Sequence, residues 1–252
     1  MNNITKKLSV LLTALMVSFS TSVYSFEGFS VGAIFSSMDF STAGQETTDG
    51  PVGDGVNEVT KTTKTGSADK YAYFGEYTFA QGTSIGIEMI EGTATLGSAS
   101  RTATSSVANA GTAGTVTADA KISDPITFYV EPTFMINDVF GVYLKGGATT
   151  VSVEPKETAD TASATASTYK SQDVVGLMTG YGAKYYYGNF FAKLEYVETD
   201  FETYSHTSTT GNKNTITADV DTEETRIADV LPAAEKLDKF ANRIQNSYGS
   251  NR

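Results

Sequence analysis

The sequence contains no cysteine and no tryptophan, and it has only one histidine and 5 prolines. Without cysteine, the chain can form no disulfide, zinc–thiolate site, cysteine nucleophile or lipid-modified N-terminal cysteine. The formal net charge of -11 argues against nucleic acid as a partner, because no basic footprint is present. Other residue types are abundant, with 23 glycines, 14 tyrosines and 14 phenylalanines. That mixture favours extended strands and turns over long helices.

The first 25 residues have the pattern of a secretory signal peptide. Two lysines precede an apolar stretch at residues 8–19, which is shorter than the roughly 20 apolar residues of a membrane-spanning helix. Val23 and Ser25 suit the -3 and -1 positions of a cleavage site ahead of Phe26. The alternative is a short N-terminal anchor helix. After residue 25 no apolar run is long enough to span a bilayer as a helix.

The rest of the chain alternates between aromatic, apolar segments and stretches rich in Thr, Ser, Ala, Gly and Asp. The apolar segments cover residues 29–40, 71–90, 126–149 and 174–201, and the last three are broken at 80–82, 136–138 and 188–189. Gly, Asn and Asp at these breaks have turn chemistry, so each broken segment is predicted to be a hairpin. Residues 214–231 are the candidate for an eighth strand.

The connections between these strands alternate strictly between long and short. The polar stretches 41–69, 93–124, 150–173 and 202–215 are predicted to be long loops. Long outer loops and short periplasmic turns are typical of bacterial outer-membrane barrels. We therefore expect the long loops to face the outside and the short turns to face the periplasm.

Within each predicted strand, apolar and polar residues alternate with a period of two. In residues 71–79 one face is Tyr71, Tyr73, Gly75, Tyr77 and Phe79, whereas Glu76 lies on the other. Alternation alone also fits a soluble sandwich whose apolar face turns inward. Aromatic residues near the short turns favour the membrane form, since aromatic girdles mark membrane interfaces. These aromatic residues are Phe79, Phe134, Phe140, Tyr187 and Phe190.

The charges opposite the apolar faces form the candidate site. They are Glu76, Glu88, Glu131, Lys145, Lys184, Lys193 and Glu195, and their distances from the short turns predict two neighbouring layers in the lumen. An eight-stranded barrel is just wide enough to be filled by side chains. One interpretation is therefore a salt-bridge plug, with Arg226, Tyr129 or Tyr143 as a partner for the fourth carboxylate. The other interpretation is a narrow polar path for small solutes.

Several segments resemble the small eight-stranded outer-membrane proteins, namely the opacity-type porins and adhesins, the membrane domain of the outer-membrane protein A class, and the W class. The resemblance is carried by residues 29–33, 180–186 and 191–196, which read FSVGA, GYGAKYY and FAKLEY. It implies an all-β, transmembrane, antiparallel up-and-down barrel of eight strands over residues 26–231. It also implies residence in the outer membrane, a monomer, and contact with lipid and lipopolysaccharide.

Two features depart from that resemblance. The last strand is atypical, because Thr222 to Arg226 carries charge on both faces and the chain ends in Arg252 instead of an aromatic residue. The tail, residues 232–252, changes to a helical period. It is predicted to be a periplasmic or interfacial helix, or else a weakly ordered terminal helix. Within the barrel, Pro132 is predicted to cause a bulge or an early turn, since it has no N–H for the ladder.

The chain shows little sign of catalytic chemistry. His206 lies in a Thr/Ser-rich stretch where a His/Ser/Asp site is conceivable, but a solvated histidine is the simpler interpretation. Carboxylates crowd the same level without the spacing of a calcium loop, and they suggest either divalent-ion bridges to lipopolysaccharide or a solvated acidic face. These carboxylates are Asp200, Glu202, Asp219, Asp221, Glu223 and Glu224. No cofactor, metal site or enzymatic activity is predicted.

The sequence therefore predicts a structural or surface-interaction protein of the outer membrane. Its Thr/Ser-rich loops would meet an extracellular ligand, and its lumen would be closed by the charge network. The alternative function is a narrow porin-like channel or a conduit for hydrophobic small molecules, which the resemblance to the W class implies.

Overall fold

The structure is a computed structural model that describes residues 27–48, 58–80, 82–90, 92–103, 114–160, 166–187, 190–209 and 214–232. The predicted signal peptide, the cleavage site and residues 233–252 of the predicted helical tail lie outside the described residues. Within the described part of the chain, no helix is both long and apolar enough to cross a membrane.

The described residues fold into ten β-strands. These strands are β1 (Gly28–Thr48), β2 (Glu58–Thr78), β3 (Thr83–Ile90), β4 (Thr93–Ala103), β5 (Gly114–Asn137), β6 (Phe140–Ala159), β7 (Gln172–Tyr187), β8 (Phe190–Phe201), β9 (Tyr204–Thr207) and β10 (Thr215–Pro232). The predicted tail boundary is one residue early, because Pro232 is the last residue of β10 and pairs with Ser30.

The ten strands form a closed antiparallel ring of eight positions. The order around the ring is β1, β2, β3, β5, β6, β7, β8 and β10, and pairing between β10 and β1 closes it. β3 and β4 share one position, because both pair with β5, and β8 and β9 share another, because both pair with β10. The predicted eight-stranded up-and-down barrel is confirmed.

Three tight turns join neighbouring strands at one end of the barrel, which we call the turn end. They follow Thr78, Asn137 and Tyr187, so the three predicted hairpins are confirmed. The second turn lies at residues 138–139, slightly later than the predicted 136–138. There the Asn137 side-chain oxygen accepts hydrogen bonds from the backbone N–H groups of Val139 (3.0 Å) and Phe140 (2.9 Å), which places Asn137 at the end of β5.

At the opposite end, the loop end, the strands are much longer than predicted. The polar stretches interpreted as long loops are mostly strand: β1 continues to Thr48, β2 begins at Glu58, and β6 continues to Ala159. The prediction of long loops was wrong because a polar composition does not by itself prevent a segment from forming a strand. Thr is β-branched and fits a pleated surface well, and paired neighbours complete the backbone hydrogen bonds there.

The outer surface carries an apolar band next to the turn end. Large apolar side chains that point away from the lumen are exposed, among them Phe29, Tyr71, Phe128, Leu144, Tyr181 and Leu194. Towards the loop end the outward positions become polar, as at Asp39, Asp69 and Glu223. Apolar-out and charge-in is the surface of a transmembrane barrel and the reverse of a soluble sandwich. Beyond Asp39, β1 continues for roughly 30 Å along the strand.

The barrel wall bends where β3 gives way to β4. Gly92 has a φ of 108°, Asp124 has a φ of 53°, and the β5–β6 register shifts between Ser123 and Ile126. Positive φ at both kinks redirects the β4–β5 hairpin. Pairing between β2 and β3 ends at Ala72 and Ile90, and among the described residues β4 pairs with β5 alone. The wall therefore has a window between β2 and β4.

The prediction of a bulge or an early turn at Pro132 was wrong. The β5–β6 register is the same before and after this residue, although the pairing with β6 lapses at Glu131 and Pro132, and β5 continues to Asn137. Pro132 instead ends the pairing with β3, where it faces Thr83. The lost N–H is accommodated where these pairings end, and the β5–β6 register shifts elsewhere, around Pro125 and next to the turn, between Met135 and Asn137.

The atypical character of the last strand is present in the structure. On β10 the outward positions Asp221, Glu223, Thr225 and Asp229 are exposed, and Ile227 is the large apolar residue among them. The inward positions of this strand carry the other two charges of the segment Thr222 to Arg226. These are Glu224 and Arg226, which are buried in the lumen.

Candidate functional site in the barrel lumen

The layer of charges nearer the turn end consists of two lysines and two glutamates from four different strands. Lys184 of β7 lies 3.4 Å from Glu76 of β2 and also pairs with Glu131 of β5. Lys193 of β8 lies 2.5 Å from Glu76 and 3.1 Å from Glu131. Each cation contacts both anions, so this layer balances its own charge. None of the four is more than 3% exposed.

A second layer lies next to it on the loop-end side. Lys145 of β6 lies 3.1 Å from Glu88 and 3.0 Å from Glu195. Arg226 of β10 lies 2.7 Å from the same Glu88 and 3.6 Å from Glu195. The structure thus brings all seven predicted lumen charges together, and Arg226 serves as the additional partner that the fourth carboxylate needs.

Sequence reasoning missed one member of the network, Glu224. It was grouped with the carboxylates of the loop level, but it points inward and is 5% exposed. The Arg226 side chain donates a hydrogen bond to it (2.8 Å), and the Ser36 hydroxyl donates another (2.6 Å). The available signal was parity, because Glu224 and Arg226 are two residues apart and must share a face of β10.

Two tyrosines complete the hydrogen bonding of the network. The Tyr129 hydroxyl donates to Glu76, and the Tyr143 hydroxyl donates to Glu195, each at 2.9 Å. Their rings lie over Gly86 and Gly182, where a Cβ atom would collide with the ring. The Tyr129 ring also faces Lys145, whose Nζ is 4.3 Å from the ring centre.

The arrangement satisfies the strict conditions for burying charge. An unpaired buried ion costs several kcal/mol, whereas ion pairs with further hydrogen bonds can be accommodated. Here every charge has at least one opposite partner and most have two. Chemically, such a network fills and cross-braces the lumen, because its pairs join strands on opposite walls.

Nearer the loop end, the lumen becomes apolar. Ile122, Val151, Val153, Val174 and Val220 are buried together and line a cavity of about 60 Å³, which we call the upper chamber. Tyr204 also lines it, and its hydroxyl donates to the backbone oxygen of Lys170 (3.1 Å). Burial raises the pKa of Tyr204 to about 12, so the hydroxyl stays protonated further into the alkaline range than an exposed tyrosine.

The wall window opens beside the upper chamber. Its cavity of about 370 Å³ is lined on the β2 side by Lys70, Tyr71 and Tyr73 and on the other side by Ile90 and Ile122. Ile122 lines both the window and the upper chamber, so its side chain separates the two.

The closed eight-position ring corresponds to a known architecture. Superposition with the outer membrane protein OprG from Pseudomonas aeruginosa gives a TM-score of 0.51 at 14% identity, covering 83% of this chain and 98% of OprG. The chain has the fold of the small outer-membrane β-barrels. At this identity the similarity extends to the fold alone.

Two further outer-membrane barrels are similar at lower scores. The protease OmpT from Escherichia coli gives a TM-score of 0.43 at 10% identity, with 83% of this chain and 98% of OmpT covered. Ail, the attachment invasion locus protein of Yersinia pestis, solved with the heparin analogue sucrose octasulfate, gives 0.30 at 14% identity, with 77% and 98% covered. No family model and no curated protein matches the sequence.

The barrel has its single histidine away from the charged lumen. His206 lies on β9, pairs with Ile216, and has its ring 6.5 Å from that of Tyr204. Among the described residues, no group of three or more histidines and carboxylates is arranged to hold a metal ion. The carboxylates predicted at this level are spread over the outer surface and the strand ends, except for Glu224.

Proposed function

We propose that the protein is an outer-membrane structural or surface-interaction barrel whose lumen is closed by the charge network. The observation that carries this proposal is that the network joins β2, β3, β5, β6, β7, β8 and β10 through buried ion pairs across the lumen. Eight strands leave an interior that side chains can fill. Function then belongs to the outer surfaces of the barrel and not to flow through it.

The loop end is the interaction surface in this proposal. Its strands project beyond the apolar band as paired strands, so it presents a sheet surface where the sequence predicted long loops. We infer that the loop end faces the outside, that the band contacts lipid and lipopolysaccharide, and that a monomer meets an extracellular ligand there. Long outer connections and short periplasmic turns support this orientation.

Cysteine labelling in intact cells tests the proposal, since the natural chain has no cysteine. Thr63→Cys places a thiol on an exposed position of β2 near the loop end, and Ala80→Cys places one on an exposed short turn. A membrane-impermeant maleimide should label Thr63→Cys in intact cells and Ala80→Cys only after permeabilisation. The reverse pattern would invert the topology, and labelling of neither in intact cells would contradict surface display. Heat-modifiable gel migration verifies that both variants are folded.

A second candidate function is binding or passage of a small hydrophobic molecule. It is favoured by the upper chamber and by the window beside it, whose 370 Å³ lies at the lower end of the usual range of ligand sites, about 300–1,000 Å³. The chamber alone is too small for such a ligand, and the charge network blocks the route to the turn end. This candidate therefore requires Ile122 to move.

The absence of tryptophan allows a direct test of the second candidate. Thr93→Trp places a fluorophore at the rim of the window, and Thr63→Trp places a control elsewhere on the loop-end wall. Energy transfer to N-phenylnaphthylamine from the first variant alone would support binding at the window. Equal transfer from both would indicate partition into the surrounding detergent and would remove this candidate.

A further inference from the structure

Lys70 of β2 faces the lumen but takes no part in the charge network. It shares the inward face of β2 with Glu76 and is half-buried. Its Nζ donates to the sulfur atom of Met38 at 2.9 Å, and a thioether is a weak acceptor. Within the part of the chain that the structure describes, this ammonium group forms no ion pair, whereas each lysine of the network contacts two carboxylates.

The lumen charges near Lys70 are already engaged with each other. Glu224 of β10 attracts the lysine at longer range, and Arg226 repels it. The Glu224 carboxylate accepts hydrogen bonds from the Arg226 side chain (2.8 Å) and from the Ser36 hydroxyl (2.6 Å). An ammonium group has three donors, and a partly buried cation is stabilised by an anionic acceptor. Lys70 therefore has donors available for an anion that the described residues do not supply.

Lys70 lies at one end of the window between β2 and β4. The next residue, Tyr71, is exposed in the apolar band, whereas Asp69 is one of the polar outward positions above the band. The lysine is thus at the border of the band, where lipid head groups are expected. Towards the turn end, the window is lined by Tyr73 and Ile90. The cavity therefore has a cationic end and an apolar end.

We propose that the window binds a free fatty acid, whose carboxylate contacts Lys70 and whose alkyl chain lies along Tyr73, Ile90 and Ile122. The inference rests on the second candidate function and names its class of ligand. In the complex, Lys70 Nζ exchanges a weak thioether acceptor for a carboxylate, and a charge-assisted hydrogen bond is roughly twice as strong as a neutral one.

The size of the cavity favours a ligand with a single chain. Its volume of about 370 Å³ lies near the lower limit of ligand sites, about 300–1,000 Å³. A lipid with several acyl chains exceeds that space. The carboxylate and the chain also suit the position of the window, because the charged end lies at the border of the band and the apolar end lies within it.

Tryptophan fluorescence can report the alkyl chain, since the natural sequence has no tryptophan. Tyr73→Trp places the reporter at the apolar end of the window, and Tyr181→Trp is the control. Both tyrosines are exposed on the outer face. Tyr73 lies three residues above Glu76 and Tyr181 three residues above Lys184, which contact each other in the turn-end layer, so the two reporters have the same height. Quenching of the control measures partition into lipid alone.

The charged probe is ω-bromoundecanoate, and its methyl ester is the neutral probe, because bromine quenches tryptophan on contact. The full chain is refolded into phosphatidylcholine nanodiscs. We expect saturable quenching of Tyr73→Trp by the carboxylate and unsaturable quenching of Tyr181→Trp. Adding Lys70→Met should weaken carboxylate binding at least about tenfold and leave the ester unchanged. Lys64→Met removes an exposed lysine from the same face of β2 and should change neither.

Four results would overturn the proposal, and they have different meanings. Equal affinities of carboxylate and ester, unaffected by Lys70→Met, would leave the second candidate function intact and remove the role of Lys70. An equal loss of carboxylate binding in Lys70→Met and Lys64→Met would mean that the lysines act through general charge. Saturable quenching by neither probe would remove the second candidate function as well.

The fourth result concerns membrane lipid. Quenching of Tyr73→Trp by brominated phosphatidylglycerol that depends on Lys70 and exceeds quenching by brominated phosphatidylcholine would assign the lysine to a lipid head group. Heat-modifiable migration verifies folding of every variant. Lys70→Gln, which keeps a polar side chain and removes the charge, replaces Lys70→Met if that variant does not refold.

Discussion

Lys193 Nζ lies 3.1 Å from Glu131 Oε2, although their strands, β8 and β5, are three positions apart in the ring. A contact between such distant strands must cross the lumen. The same lysine holds Glu76 of β2 from the other side. One side chain therefore ties three parts of the wall together, and the predictions below follow from that bracing.

Removal of one partner should destabilise the barrel strongly. In Lys184→Ala, Glu76 and Glu131 each lose a cation while they stay buried, and breaking a buried pair in this way costs roughly 3–5 kcal/mol. The free energy of unfolding in detergent measures the loss. Lys64→Ala removes an exposed lysine and is the control, with an expected change below about 0.5 kcal/mol. Similar losses in both variants would mean that the lumen charges are solvated.

Removal of a single hydroxyl should have a smaller effect. Tyr129→Phe deletes the hydrogen bond to Glu76 but leaves that carboxylate its two lysines. A hydrogen bond to a charged group contributes about 1.5–3 kcal/mol. Tyr181→Phe deletes an equivalent hydroxyl on the exposed outer face and should be nearly neutral. Urea titration of the two refolded variants compares them, and equal midpoints would contradict the role given to Tyr129.

A methyl group at the ring contact should be more harmful than the same group on the outer wall. In Gly86→Ala the new Cβ meets the Tyr129 ring and the backbone oxygen of Gly75, so the ring must move away from Glu76. Overpacking of this kind costs about 1–3 kcal/mol. Gly75→Ala adds the same atom to open space. We expect the free energy of unfolding to fall in Gly86→Ala and to stay unchanged in Gly75→Ala. An equal change in both variants would mean that alanine acts through its strand propensity and not through the ring contact.

The architecture and the facing of the strands could be predicted from the sequence because both depend on a period of two. Once Tyr71 and Tyr73 are placed outside, the backbone geometry forces Glu76 inside. The two layers could be foreseen for the same reason, since counting residues from a tight turn gives the height in a barrel. Only the pairing across the lumen depends on shear, which the sequence does not display.

The parts that could not be predicted are those where the pattern of polar and apolar residues does not reveal the secondary structure or the facing of a side chain. The extension of β1 is polar or small on both faces, so it carries no alternation that distinguishes a strand from a loop. Glu224 was misplaced because Glu223, its neighbour on the outward face, hides the parity of a strand charged on both sides. A bulge or early turn was expected at Pro132, whereas the register shift lies between Ser123 and Ile126, where Asp124 has a positive φ and two ladders end close together.

Ion conductance tests the central claim most directly, namely that the charge network closes the lumen. The purified barrel is refolded, checked by heat-modifiable migration, and inserted into a planar lipid bilayer. A matched variant replaces both layers by alanine, which removes four charges of each sign; the changed residues are Glu76, Glu88, Glu131, Glu195, Lys145, Lys184, Lys193 and Arg226. The account predicts no conductance steps for the natural sequence and stable steps for the folded variant. Stable steps from the natural sequence, with the same amplitude as those of the variant, would contradict it.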